Sequence, residues 1–232
     1  MRVVCLQHVE YETAEAIATW ALERGHDFET ARPVFEDYPS LDTFDMLVVM
    51  GGPMGAYDDA SYPWLVSEKA FIRKAIDSGR LVLGVCLGAQ LTACALGGSA
   101  RRNDVREVGW FPARLTPVGR ESRVLSVLPR EMVVGLWHGD TYDLPAGLET
   151  AMVSDACPNQ AFEARDGRVV GLQFHVEWTP EALEALAQRH GEWFEEGGPF
   201  VQTREEFLDP GDALGRGREL LFRLLDEMET LR

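Results

Sequence analysis

Met46-Leu47-Val48-Val49-Met50 is five apolar residues in a row, closed at once by Gly51-Gly52-Pro53-Met54-Gly55. A short run without polar alternation predicts a strand buried on both faces. Such a strand needs cover above and below, which commits the chain to a layered α/β architecture. Leu81-Val82-Leu83-Gly84-Val85 is a second run of this kind. Between them, residues 63–78 set Trp64, Phe71, Ile72, Ala75 and Ile76 on one side of a predicted helix that Gly79 closes. Upstream, residues 2–7 and 28–31 predict strands. Ala14, Ile17, Ala18, Ala21 and Leu22 recur at helical spacing before Gly25. Downstream, residues 87–96 predict a helix of small residues ended by Gly97-Gly98. The alternation predicts a doubly wound, mostly parallel sheet with helices on both faces.

The second half predicts a smaller antiparallel region, with strands over 108–115, 132–137, 149–154, 160–164 and 169–174. Asp166-Gly167 suits a hairpin between the last two. Thr179-Pro180-Glu181 is a helix start, and Leu183, Leu186, Ala187, His190 and Trp193 continue its apolar face. Gly197-Gly198-Pro199 is the clearest linker. It divides the chain into a domain over 1–196 and an extension over 197–232 packed on the same domain. Leu220, Leu221, Leu224, Leu225, Met228 and Leu231 form the extension's apolar stripe. Docking on the core is the simpler use of that stripe, and a partner surface is the alternative.

Charge narrows the function. Lys and Arg number 22 against 38 Asp and Glu, a net charge of −16. Nucleic acid and anionic membrane surfaces both reward basic chains, so neither is an expected partner. The acids concentrate in residues 10–59 and 181–232, whereas 60–180 is electroneutral. The two lysines, Lys69 and Lys74, lie in a helical pattern, so there is no P-loop. The four cysteines make no Cys-x-x-Cys, and no His-x-x-x-His occurs, so neither metal nor cofactor is expected. With no signal-peptide pattern and no membrane-length apolar run, the expected location is cytoplasmic, with reduced thiols.

The chemistry concentrates at Gly84-Val85-Cys86-Leu87-Gly88-Ala89-Gln90. A buried strand ends and a helix begins around Cys86, with glycines on both sides to permit a tight turn. This is a nucleophile elbow carrying Cys. The helix N-terminus favours a thiolate, and the Leu87 N–H points toward a developing oxyanion. Taken alone, Cys86 reads equally as a structural cysteine, whereas Cys5 and Cys94 read as core cysteines. Cys157 lies in a loop with no base signalled near it. His175 ends a predicted strand, and Glu177 two residues on falls on the same side, where it can orient the imidazole. The Gly51-Gly52 turn has free N–H groups for an anion.

In this order, the Gly-Gly-Pro loop, the Cys elbow ending in Gln90 and the late Phe174-His175-Val176-Glu177 resemble the class I (triad) glutamine amidotransferases. The likeness spans roughly residues 40–195 and is greatest to the branch holding the amidotransferase half of GMP synthetase and its free-standing relatives. It implies a flavodoxin-like fold. It also implies that Cys86 attacks the γ-carboxamide of glutamine to form a γ-glutamyl thioester. His175 would move the protons, Glu177 would hold His175, and the N–H groups of Gly52 and Leu87 would form the oxyanion hole. Gln90 would help hold glutamine. Trp137-His138-Gly139-Asp140 resembles a His-Gly-Asp stretch beside the glutamine pocket, which makes Gly139 and Asp140 substrate contacts and His138 a pocket wall. Gly97-Gly98 and Glu107-Val108-Gly109-Trp110 are also similar to this branch. Val176 departs from the Pro often found there. No Ser-Gly-Gly-rich phosphate loop follows the linker, so the acceptor domain is expected to be absent, with a synthetase or transferase partner acting in trans. Two alternatives stay open: a γ-glutamyl peptide hydrolase with the same triad, and a non-catalytic binding module. The protease-like relatives of this fold carry His directly after the elbow Cys, where this chain has Leu87.

Overall fold

A computed structural model describes residues 1–232. Its five parallel strands are β1 (Arg2–Leu6), β2 (Asp27–Ala31), β3 (Met46–Val49), β4 (Leu81–Val85) and β9 (Val169–Leu172). They lie in the order β2-β1-β3-β4-β9, and each buried strand sends alternate side chains to opposite layers. Val3, Met46, Val48 and Leu83 pack with α1 (Glu15–Glu23) and α8 (Ala213–Glu229). Val4, Leu47, Val49 and Val82 pack with α2 (Trp64–Asp77) and α3 (Leu87–Ala95). The fold is therefore the doubly wound α/β arrangement that the apolar runs predict, with the flavodoxin-like strand order that the resemblance implies. The stripe of α8 enters the first layer through Leu221, Leu224, Leu225 and Met228. Leu22 is the exception in α1: it lies on the solvent side.

Four strands extend the sheet antiparallel beyond β9. They are β8 (Ala161–Ala164), β7 (Thr150–Val153), β5 (Ser99–Leu115) and β6 (Glu131–Asp143), in that order. β8 and β9 form the expected hairpin, with Arg165, Asp166 and Gly167 all at positive φ. β5 and β6 run well past the strands predicted over 108–115 and 132–137. Their register reaches from Ser99↔Asp143 to Arg114↔Glu131 with a shift between Arg102 and Glu107. Residues 99–107 are largely polar, so the cross-strand ladder, and not an apolar pattern, makes them a strand. As a result His138, Gly139 and Asp140 sit within β6.

The last third also differs from expectation. The helix starting at Thr179 is capped as predicted, the Thr179 hydroxyl accepting from the Ala182 N–H at 3.3 Å. It breaks at His190-Gly191 into α5 (Pro180–Arg189) and α6 (Glu192–Glu196), because Gly191 weakens the helix and the His190 ring is taken by Tyr11 Oη at 3.0 Å. Two short helices were not expected: α4 (Pro117–Glu121) and α7 (Arg204–Leu208). α7 carries a Thr203/Glu206 capping box, and its Phe207 packs with Trp137, Trp178, Leu183 and Leu186 in a third cluster. No helix is long and apolar enough to cross a membrane.

Candidate active site

The β1, β3, β4 and β9 chains all emerge at one edge of the sheet, so their following loops meet there. Cys86 follows β4 with φ 54° and ψ −111°, a conformation that L side chains rarely adopt. Two glycines make this turn fit. A side chain on Gly84 would overlap the Gly88 carbonyl, and one on Gly88 would overlap the Val49 carbonyl. Leu87 opens α3, so its N–H has no partner within the helix. The Gly52 N–H makes no backbone hydrogen bond either, and the Gly52 Cα lies against the Leu87 side chain. Both expected oxyanion donors thus lack a backbone partner, and both residues line the cavity that opens over Cys86.

His175 pairs with Gly135 of β6 through an isolated bridge, the His175 N–H donating to the Gly135 carbonyl at 2.8 Å. Its Nδ1 lies 2.6 Å from Glu177 Oε1, and Glu177 Oε2 accepts from the Val176 N–H at 3.0 Å. That leaves Nε2 to serve the Cys86 sulfur, whose hydrogen bond and charge both act on the imidazole. Burial alone would push His175 down, but Glu177 and Cys86 together outweigh it and carry the imidazole up to about 10. His175 thus stands between the Glu177 carboxylate and the Cys86 sulfur. Cys86, His175 and Glu177 are all buried, and all three line the same cavity of about 730 Å³.

The expected substrate contacts line the same cavity. Gln90 is buried, donates to Gln173 Oε1 at 3.1 Å and keeps an unpartnered Oε1. Asp140 accepts from Tyr57 Oη at 3.0 Å, with the Arg102 Nε 3.6 Å from its other oxygen. Burial raises the Asp140 carboxyl above the usual range, against the pull of Tyr57 and Arg102. Gly139 packs on the Arg106 side chain, and Arg106 in turn lies over the Trp193 ring at 4.8 Å.

Several functional neighbours were missed. Gln173 donates to the Cys86 sulfur at 3.7 Å; alternation from His175 would have placed it on the same side. His8 is buried beneath the Gly51-Gly52 turn, where its Nδ1–H donates to the Gly51 carbonyl at 2.8 Å. Its Nε2 meets the fully buried Glu68 at 2.7 Å. Burial would lower this imidazole, but Glu68 outweighs it and the net shift is upward. Trp178 stacks on the His175 ring, with centroids 4.1 Å apart.

Cys157, expected to have no base nearby, lies with Glu107 and His138 in a second buried group whose ligand atoms all fall within 4.8 Å. His138 Nδ1–H donates to the Asp140 carbonyl at 2.9 Å, and its Nε2 faces Glu107 Oε2 at 3.0 Å. Glu107 also accepts from Ser154 at 2.6 Å and from Gln160 at 2.7 Å. These three are the residues with metal-ligand chemistry, but Glu107 already accepts two side-chain hydrogen bonds, from Ser154 and Gln160, and His138 is tied back to Asp140.

Against known proteins, the family model for glutamine amidotransferase class-I matches residues 10–189. The chain is 32% identical to the glutamine amidotransferase-like protein YfeJ of Salmonella typhimurium, over 98% of this chain and 97% of that one. It is 33% identical to the glutamine-hydrolysing GMP synthase of Latilactobacillus sakei over 56% of this chain, which is 24% of the synthase. Among solved structures, a glutamine amidotransferase from Thermotoga maritima superposes with a TM-score of 0.87 at 28% identity, covering 98% of this chain and 97% of that one.

Proposed function

Since the chain belongs to the class-I glutamine amidotransferase family, we propose that it hydrolyses the γ-carboxamide of glutamine through a thioester on Cys86. The observation that carries this reading is the strained elbow cysteine facing the His175–Glu177 pair, held at 2.6 Å.

The Cys86 thiolate attacks the carboxamide carbon, and the C–S bond forms as charge moves to the oxygen. The N–H groups of Gly52 and Leu87 receive that oxyanion. The tetrahedral adduct collapses as the His175 imidazolium gives its Nε2 proton to the nitrogen, the C–N bond breaks and ammonia leaves. Neutral His175 then takes a proton from water, and the resulting hydroxide attacks the thioester. The C–S bond breaks, and glutamate leaves with Cys86 again a thiolate and His175 again an imidazolium. Glu177 keeps Nδ1 protonated throughout. Gln90, Gly139 and Asp140 hold the α-amino and α-carboxylate end. The ammonia goes to solvent or to a synthetase or transferase on a separate chain. The elbow thiol needs the reducing cytoplasm to stay active.

A second reading has a specific observation behind it. A cavity of about 730 Å³, walled by Tyr11, Trp178 and Trp193, is far roomier than glutamine requires and suits a γ-glutamyl amide with a bulky amine. Both readings share the thioester. A diazo-ketone analogue of glutamine, followed by peptide mass analysis, tests it: label is expected on Cys86 and abolished in Cys86→Ala. Label on Cys94 or Cys157 instead would sink the reading. Turnover of γ-glutamyl dipeptides without turnover of glutamine would select the second.

A further inference from the structure

Glu12 is a carboxyl that the triad chemistry leaves unused. It follows β1, lies half-buried on the cavity wall and makes no hydrogen bond to the protein. Its carboxylate presses on the Cα of Gly51: a side chain at 51 would overlap Glu12 Oε2, and the same position lies 3.5 Å from the Cys86 Cβ. Glu12 therefore stands at the shoulder of the nucleophile. Burial raises its carboxyl to about 6, while His175 and His8 pull it down and Glu177 pushes it up, so it shares the field of the triad.

Its position in the sheet order says which part of a substrate it meets. The loop after β1 reaches over β3 and β4 to the residues that follow β9. The Glu12 segment is tied down beside the base, with the Ala16 N–H donating to the Glu177 carbonyl at 3.0 Å and the Thr179 hydroxyl to Glu15 at 3.1 Å. The donors and acceptors suited to an amino acid head, Gln90, Arg102 and Asp140, are on the β6 side or the elbow helix. Tyr11, next to Glu12, and His190, held by the Tyr11 Oη at 3.0 Å, line the same cavity. A carboxylate with no hydrogen-bond partner, on the segment tied to the base that gives the leaving nitrogen its proton, faces the departing group.

We propose that Glu12 is the leaving-amine site: its carboxylate accepts a hydrogen bond from the N–H of the scissile amide and holds the amine as it departs. The inference rests on the thioester reading above. In acylation the new proton on nitrogen comes from the His175 imidazolium, as the C–N bond breaks and the C–S bond remains. Glu12 neither gains nor loses a proton in that step. It offsets the positive charge that grows on nitrogen, and it favours amine leaving groups over an aryl ester oxygen, which carries no N–H and leaves as the phenolate.

Two substrates that differ by one atom group test this: γ-glutamyl 4-nitroanilide and γ-glutamyl 4-nitrophenyl ester. Glu12→Met removes the acceptor at similar length, and Glu12→Gln keeps an acceptor without its charge. The ratio kcat/KM reports events through acylation. For the anilide it is expected to fall about tenfold or more in Glu12→Met and by less in Glu12→Gln, as for a charge-assisted hydrogen bond. For the ester both variants should match the parent within about twofold. Equal losses on both substrates, or no loss on either, overturn the assignment while the parent's activity keeps the thioester reading intact. A parent inert to both substrates and unlabelled at Cys86 overturns the thioester reading, and the Glu12 assignment with it. Melting curves of the two variants guard against misfolding.

Discussion

Trp178 lies flat on His175, 4.1 Å between ring centroids and 12° between planes, and it can do so because residue 135 is glycine. A side chain at 135 would overlap Trp178 Cζ3 and stand 2.7 Å from its Cε3. The indole fixes the plane of the imidazole, and with it the line from Nε2 to the sulfur. Gly135→Ala should displace the indole while the β6 ladder survives. We expect kcat to fall about tenfold or more, as misplacing a base by a fraction of an ångström does. The far-ultraviolet circular dichroism should be unchanged, and steady-state kinetics beside a spectrum decide it.

Glu177→Gln tests the electrostatics of the base. His175 is held up to about 10 against its burial, by Glu177 and Cys86. A raised folded value means the pair's contribution to stability is fully present below about pH 6.5, the unfolded value, and is lost as pH rises through about 10. Removing the carboxylate charge should bring the alkaline edge of kcat/KM down toward neutrality. It should also cut the rate by roughly a hundredfold or more, as loss of a triad carboxylate does. A pH–rate profile with an unmoved alkaline edge would count against the assignment.

Gln173→Leu tests the thiolate. The Gln173 amide is the side-chain donor at the sulfur, at 3.7 Å, and it is itself held by Gln90. Without it, ionised Cys86 loses a hydrogen bond while the apolar packing volume is kept. Alkylation of Cys86 by iodoacetamide at pH 7 should slow by roughly fivefold.

Glu68→Leu tests the support under the Gly51-Gly52 turn. His8 and Glu68 are both fully buried, and breaking such a pair by removing one partner costs about 3–5 kcal/mol. The loss should appear in urea unfolding. Because His8 also donates to the Gly51 carbonyl, kcat should fall with stability.

The elbow was legible from sequence because strand, glycine, cysteine and helix are consecutive, and each carries its own local preference. Glu177 was legible because i and i+2 share a side. His8 and Glu68 are 60 residues apart, and nothing local to either tells of the other. Glu12 was unreadable for the same reason: in sequence it is one more acid in an acidic stretch, and only the approach of Gly51 makes it special. α7 was available in principle, since Thr203-x-x-Glu206 is a capping box. Residues 99–107 were not, because a polar strand owes its conformation to the partner across the ladder. Apart from the short helices and Gln173, whose signals are local, the missed features are made by distant segments meeting.

Cys86 holds a backbone conformation worth about 1–3 kcal/mol of strain, which glycine would relieve at once. Drift and usefulness therefore pull in opposite directions at this position. A lineage released from turnover would gain thermal stability by losing its sulfur, and nothing would then oppose the substitution's fixation by drift. Glycine at 86 in a relative would mark a fold kept as scaffold after its chemistry had been abandoned.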